Sequence, residues 1–147
     1  MNQAQEGQVP IASESDIVNA RKVVRNLASA VGFGITDVTR IVTAASELSR
    51  NIFRYAGTGV MHWRLLNGAR GAGLELVFVD RGPGIADVER AMETGYSTSG
   101  GLGMGLPGSK RLMDELDLQS QPGKGTTVTV RKWLRPASAG LAVVSNM

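Results

Sequence analysis

The chain has 147 residues, enough for one domain with a real core, and carries a net charge of +3. It has no cysteine, which excludes disulfides, thiolate metal sites and a cysteine nucleophile. Its basic residues are interleaved with acidic ones rather than gathered into the stripe of a nucleic-acid binder, its N-terminus lacks an apolar signal core, and no run approaches a membrane span; these features point to a cytoplasmic protein, with no nucleic acid or membrane partner.

Residues 1–12 read as a loose leader or an edge strand. Ser13-Glu14-Ser15-Asp16 matches a helix-start pattern, and Ile17, Ala20, Val24, Leu27 and Val31 follow at amphipathic spacing until Gly32 and Gly34 stop the helix. A second helix starts near Thr36 and Asp37. Val38, Ile41, Ala45, Leu48, Ile52 and Tyr55 form its apolar face, and Gly57 ends it.

Two strand-like runs follow, Val60 to Leu66 and Leu74 to Asp80, joined by a turn-rich segment from Asn67 to Gly73. A short helix is expected over Asp87–Thr94, then a polar glycine-dense loop from Gly95 to Gly105. Pro107 suits the first turn of a helix running to about Leu116. Leu118–Gln121 and Thr126–Leu134, flanking Pro122-Gly-Lys-Gly125, form a second hairpin, and the tail from Pro136 reads as a frayed end. Hairpins interleaved with amphipathic helices predict an α/β two-layer sandwich, with helices on one face of a mixed, mostly antiparallel sheet.

The 19 glycines exceed the roughly 7% of an average chain. The densest run, Gly101-Leu102-Gly103-Met104-Gly105-Leu106-Pro107-Gly108, precedes a helix, where backbone N–H groups and the helix N-terminus suit a phosphate. Gly103, Gly105 and Gly108 match the dinucleotide fingerprint, but a polar loop stands where that motif requires a strand. A P-loop fails too: Ser109-Lys110 reverses the order its chemistry needs.

Two upstream elements complete a different pattern. Glu47 and Asn51, one helical turn apart, project together from the border of the apolar stripe. A carboxylate beside an amide oxygen can hold Mg²⁺, and the carboxylate can accept a proton from an attacking hydroxyl. Asp80-Arg-Gly82-Pro-Gly84 places another carboxylate on a tight turn at a strand end, within reach of an exocyclic amine. Each element is weak alone; their order and combination are specific.

Together, Glu47–Asn51, Asp80–Gly84 and Gly101–Gly105 resemble the N, G1 and G2 boxes of the GHKL ATPase and kinase superfamily, and Gly125-Thr126-Thr127 its final GT box. Glu47-Leu-Ser-Arg-Asn-Ile-Phe-Arg-Tyr-Ala-Gly57, the stretch Ser97–Gly108, Lys110–Asp114 and Lys132–Arg135 are similar to the stressosome switch kinases, which belong with the anti-sigma-factor serine/threonine kinases. The likeness covers residues 13–135 as one kinase domain, with 1–12 and 136–147 outside it.

The resemblance implies a Bergerat-type ATP-binding fold that uses ATP and Mg²⁺. It makes Asn51 the Mg²⁺ ligand and Glu47 the candidate catalytic base. Asp80 would bind the adenine amino group, with Gly82 and Gly84 shaping that wall. Gly101, Leu102, Gly103, Met104, Gly105 and Leu106 would form the ATP lid, and Thr127 would sit near the adenine. Lys110, Arg50 and Arg54 are candidates to neutralise the transferring group. By the same analogy the substrate is a serine or threonine of a STAS-domain protein, with a PP2C-type phosphatase regulator as a further partner. A nucleotide-binding switch or anti-sigma factor that sequesters its partner without chemistry is the alternative. A sensor histidine kinase is disfavoured because the single histidine, His62, lies in an expected strand.

Overall fold

A computed structural model of the chain describes residues 5–82 and 105–135. Its elements run β1 (Glu6–Ile11), α1 (Glu14–Val31), α2 (Ile35–Tyr55), β2 (Gly59–Gly68), β3 (Gly71–Asp80), α3 (Gly105–Leu112), β4 (Glu115–Ser120) and β5 (Thr126–Trp133). The five strands form one sheet in the order β1-β2-β3-β5-β4, and every pairing among the described residues is antiparallel.

Local chemistry sets the long helices. The Ser13 side chain accepts from the Asp16 N–H and caps α1, and Gly32 closes it in a left-handed conformation with φ 114°. Gly57, with φ 84°, turns the chain away from α2 and donates to the Ile52 carbonyl. Residues 1–12, read as leader or strand, contain an edge strand: β1 pairs with β2 from Glu6 to Ile11. None of the helices is long and apolar enough to cross a membrane, among the described residues.

Strand register sorts the side chains into rows. Val9, Met61, Phe78, Val128 and Leu118 are successive cross-strand partners, so one apolar row traverses all five strands. Leu74, Leu76 and Phe78 point the same way and are almost wholly buried with Ile17, Ala20 and Val24 of α1 and Ile41, Leu48 and Ile52 of α2. Each such large side chain contributes about 1.5–3 kcal/mol by leaving water. This face carries the helices.

The other face bears a charged row: Glu6, Arg64, Glu75, Arg131 and Glu115 are partners from edge to edge. Glu75 accepts from both Arg64 (3.1 Å) and Arg131 (2.7 Å), and Arg131 also donates to Glu115 (3.0 Å). Arg70 pairs with Glu115 and lies over the Trp133 ring, 4.7 Å from its centroid. Burial raises the Glu75 carboxyl, but the hydrogen bonds from Arg64 and Arg131 outweigh that and hold it below the usual range. Glu115 is lowered by hydrogen bonds from Arg131 and Trp133.

Three boundaries differ from expectation. The turn between β2 and β3 contains just Ala69 and Arg70, with Gly68 paired to Gly71, where the sequence suggested a loop from Asn67 to Gly73. Gly73 is a strand residue: a Cβ there would stand 2.7 Å from the Lys132 carbonyl and 2.9 Å from the Trp133 ring. The last helix ends at Leu112, not near Leu116. The Asp114 N–H donates to the Arg131 carbonyl and Glu115 pairs with Arg131, so strand pairing captures residues whose local pattern continued the helix. For the same reason β4 starts at Glu115 rather than Leu118. Lys132, 7% exposed, fixes this corner by donating to the Leu112 carbonyl at 2.9 Å. The helix expected over Asp87–Thr94 and the loop from Gly95 lie outside the described residues, as do the tail from Pro136 and the first four residues.

Candidate functional site

The site is built where the C-terminal half of α2 meets the end of β3. Asp80 is the last residue of β3, and its Oδ1 accepts the Gly82 N–H at 2.8 Å, so the carboxylate is fixed by the turn that follows it. Two crossings allow helix, strand end and turn to meet. A Cβ on Gly82 would stand 2.7 Å from Ala56 Cβ, and one on Gly59 would stand 2.7 Å from Ile52 Cγ2 and 2.6 Å from the Val79 carbonyl. A third glycine, Gly125, has φ 86° and would place a Cβ 2.2 Å from the Asp80 carbonyl oxygen. The backbone around Asp80 is thus packed more closely than any side chain permits.

Register decides which neighbours share the face of Asp80. Ile11, Gly59, Asp80, Thr126 and Ser120 form one cross-strand row on the helix side of the sheet. Thr126 and Ser120 hydroxyls lie 2.9 Å apart, and Ser120 Oγ also donates to the Gly125 carbonyl at 2.9 Å. Thr127, expected near the adenine, lies in the row of Pro10, Val60, Val79 and Gln119, on the face opposite to Asp80. A shift of one residue along a strand exchanges faces, so the hydroxyl across from Asp80 is that of Thr126. The sequence reading named neither Thr126 nor Ser120 as a site residue, because strand register, not local sequence, decides which threonine shares the face of Asp80.

Glu47 and Asn51 occupy successive turns of α2, both half-buried, and Ala56 extends the same helix to Gly82. The end of the helix that carries Glu47 and Asn51 therefore packs on the Asp80 turn. Glu47 Oε2 accepts from Arg50 Nη1 at 3.2 Å, with 35% and 42% of the two side chains exposed. A solvent-facing pair at this spacing contributes only about 0.2–0.5 kcal/mol.

Of the expected lid, Gly105 starts α3 and Leu106 packs against the core, followed by buried Pro107, Gly108 and Ser109. Gly84, Gly101, Leu102, Gly103 and Met104 lie outside the described residues. Among the described residues no three His, Asp or Glu side chains converge into a metal cage.

Residues 11–132 match the family model described as the histidine kinase-like ATPase domain. The chain belongs to that family. It is 52% identical to the serine/threonine-protein kinase RsbT of Bacillus subtilis (strain 168), over 86% of this chain and 96% of that protein. An anti-sigma F factor of Caldanaerobacter subterraneus subsp. tengcongensis is 34% identical over 78% of this chain and 83% of its own length. Among solved structures, the mycobacterial sensor histidine kinase MprB matches with a TM-score of 0.52 at 21% identity, covering 86% of this chain and 96% of that one. A SiaB–SiaC complex from Pseudomonas aeruginosa gives 0.53 at 14% identity, covering 86% and 88%. At these identities the structural matches show a shared fold, and they agree with the two-layer sandwich of helices on one sheet face.

Proposed function

We propose that this chain is an ATP-dependent protein serine/threonine kinase working as a partner-switching regulator, with a STAS-domain protein as substrate. The observation that carries the reading is the placement of Glu47, one turn from Asn51 on the helix whose end packs on the Asp80 turn. A nucleotide site needs no carboxylate beside its metal ligand; phosphoryl transfer to a hydroxyl uses one as the proton acceptor. The 52% identity to RsbT over nearly that protein's full length supports the same reading.

The residues fit the nucleotide. Asp80, with Oδ1 tied to the Gly82 N–H, is a rigid acceptor for the adenine amino group, and Thr126 adds a hydroxyl beside it. The close crossings at Gly59, Gly82 and Gly125 let Ile52, Ala56 and the Asp80–Arg81 backbone pack directly around this turn, which fixes the Asp80 carboxylate in place. Asn51 would hold Mg²⁺ through its amide oxygen, the remaining ligands being phosphate and water. The metal would neutralise phosphate charge. Gly84 would continue the adenine wall, and the Gly101–Leu106 run would close over the phosphates.

Glu47 then takes the proton of the attacking serine or threonine hydroxyl while α2 holds it at fixed distance from Asn51. Phosphorylated partners would release the kinase to a PP2C-type phosphatase regulator, and ATP supply places the cycle in the cytoplasm. A second reading, sequestration of a partner without chemistry, draws on the likeness to anti-sigma F factors. Transfer of label from γ-labelled ATP to a STAS-domain protein separates the two: label on the partner supports the kinase, and tight ATP binding without any transfer supports sequestration.

A further inference from the structure

Glu47 is already engaged by a cation from its own helix. Arg50 Nη1 stands 3.2 Å from Glu47 Oε2. At about 100° per residue, Arg50 and Asn51 flank Glu47 on opposite sides, roughly 60° and 40° around the helix. The group that must accept a proton therefore sits between the expected metal ligand and a guanidinium.

Among the described residues, the other cations of α2 and its neighbours are committed elsewhere or lack such a contact. Arg40 pairs with Asp37, and Lys132 with the Leu112 carbonyl at the far corner of the sheet. Arg54 is exposed two turns beyond Glu47. The Arg50–Glu47 contact is too weak and too exposed to be needed for folding α2, whose apolar face is buried independently of it. It is also weak enough to exchange. A terminal phosphate carries more charge than a carboxylate and presents the oxygens that a guanidinium fork binds in parallel.

We propose that Arg50 is a positioning residue: it holds Glu47 while no triphosphate is bound and turns to the terminal phosphate of ATP, leaving Glu47 free to accept the substrate proton. The inference rests on the kinase reading above. In the transfer, the substrate oxygen bonds to the γ-phosphorus and the bond to the β,γ-bridging oxygen breaks. ADP leaves with that electron pair, and the hydroxyl proton passes to Glu47. Arg50 exchanges hydrogen-bond partners and no proton.

The test is equilibrium binding of Mg-ATP and Mg-ADP, by calorimetry, to wild type, Arg50→Ala, Arg50→Lys, Glu47→Gln and the double variant Glu47→Gln/Arg50→Ala, each checked for an unchanged melting curve. Arg50→Ala should weaken ATP about tenfold and ADP by less than about twofold, because only ATP offers the terminal phosphate. Glu47→Gln, which releases Arg50, should tighten ATP a few-fold without affecting ADP, and that gain should vanish in the double variant. Arg50→Lys should recover part of the ATP preference. Equal effects of Arg50→Ala on both nucleotides, or a Glu47→Gln gain that persists in the double variant, would overturn the role. If wild type binds neither nucleotide, the ATP reading falls and this inference with it. If wild type binds ATP and labels its partner while Arg50→Ala keeps the ATP preference, the inference alone falls.

Discussion

Asp80 stands directly opposite Thr126 on paired strands, on the sheet face that carries the helices, and Thr127 faces the other way. On the proposed ATP reading, the GT box contributes its first threonine to the nucleotide wall. Thr126→Val should weaken ATP about tenfold, the worth of one hydrogen bond near the adenine, whereas Thr127→Val should stay within about twofold. Calorimetric affinities for the two variants check this, and the opposite ranking would show that the register argument fails.

The Asp80 turn is expected to tolerate no added methyl. Gly82→Ala would drive its Cβ into Ala56, and Gly125→Ala would combine a positive φ with a 2.2 Å contact to the Asp80 carbonyl. Overpacking of this kind costs about 1–3 kcal/mol, with the larger loss at Gly125, where backbone strain adds to the clash. Urea unfolding midpoints give the ranking. Gly68→Ala, with open space around it, is the control that should lose well under 1 kcal/mol.

How far the sequence foretold this arrangement depended on how local the information was. Ser13, Gly32 and Gly57 announced the ends of α1 and α2, because caps and left-handed glycines are set by neighbours along the chain. Glu47 and Asn51 were legible for the same reason: helical spacing alone puts them together. The row from Ile11 to Ser120 is assembled by pairings distant in sequence, and two adjacent threonines gave no local hint of which one faces Asp80. Gly73 read as loop because its requirement, the closeness of Trp133, comes from another strand. The end of α3 was misplaced since the force that stops it is the Arg131 pairing, not a local breaker.

The charged row on the open face should make stability acid-sensitive. Glu75 and Glu115 are held below their ordinary range by Arg64, Arg131 and Trp133. A depressed folded-state value means the unfolded chain binds protons first as pH falls, so this stabilisation is present above the unfolded carboxyl value near about 4.3. It is lost as pH drops through the lower folded values. Urea midpoints measured from pH 6 downward should decline across that window, and Glu75→Gln should flatten the decline while lowering stability at pH 6. A Glu75→Gln profile parallel to wild type would contradict the sign.

Lys132→Met tests the corner that ends α3. It keeps the apolar stem but leaves the Leu112 carbonyl without its donor and removes the cation 3.8 Å from both Asp37 and Asp114. A loss of about 1–3 kcal/mol is expected, with hydrogen exchange rising first in α3 and β4. Uniform exchange across the whole sheet would argue against a local fastening.

Phosphoryl transfer itself is the claim on which the functional account stands. The most direct measurement is single-turnover transfer from γ-labelled Mg-ATP to a STAS-domain protein by wild type and Glu47→Ala, with ATP affinity measured on the same samples. The account predicts label on a serine or threonine of the partner with wild type. It predicts transfer reduced at least about 100-fold in Glu47→Ala while ATP is still bound. Transfer at the wild-type rate by Glu47→Ala, or ATP bound by wild type with no label transferred, would contradict it.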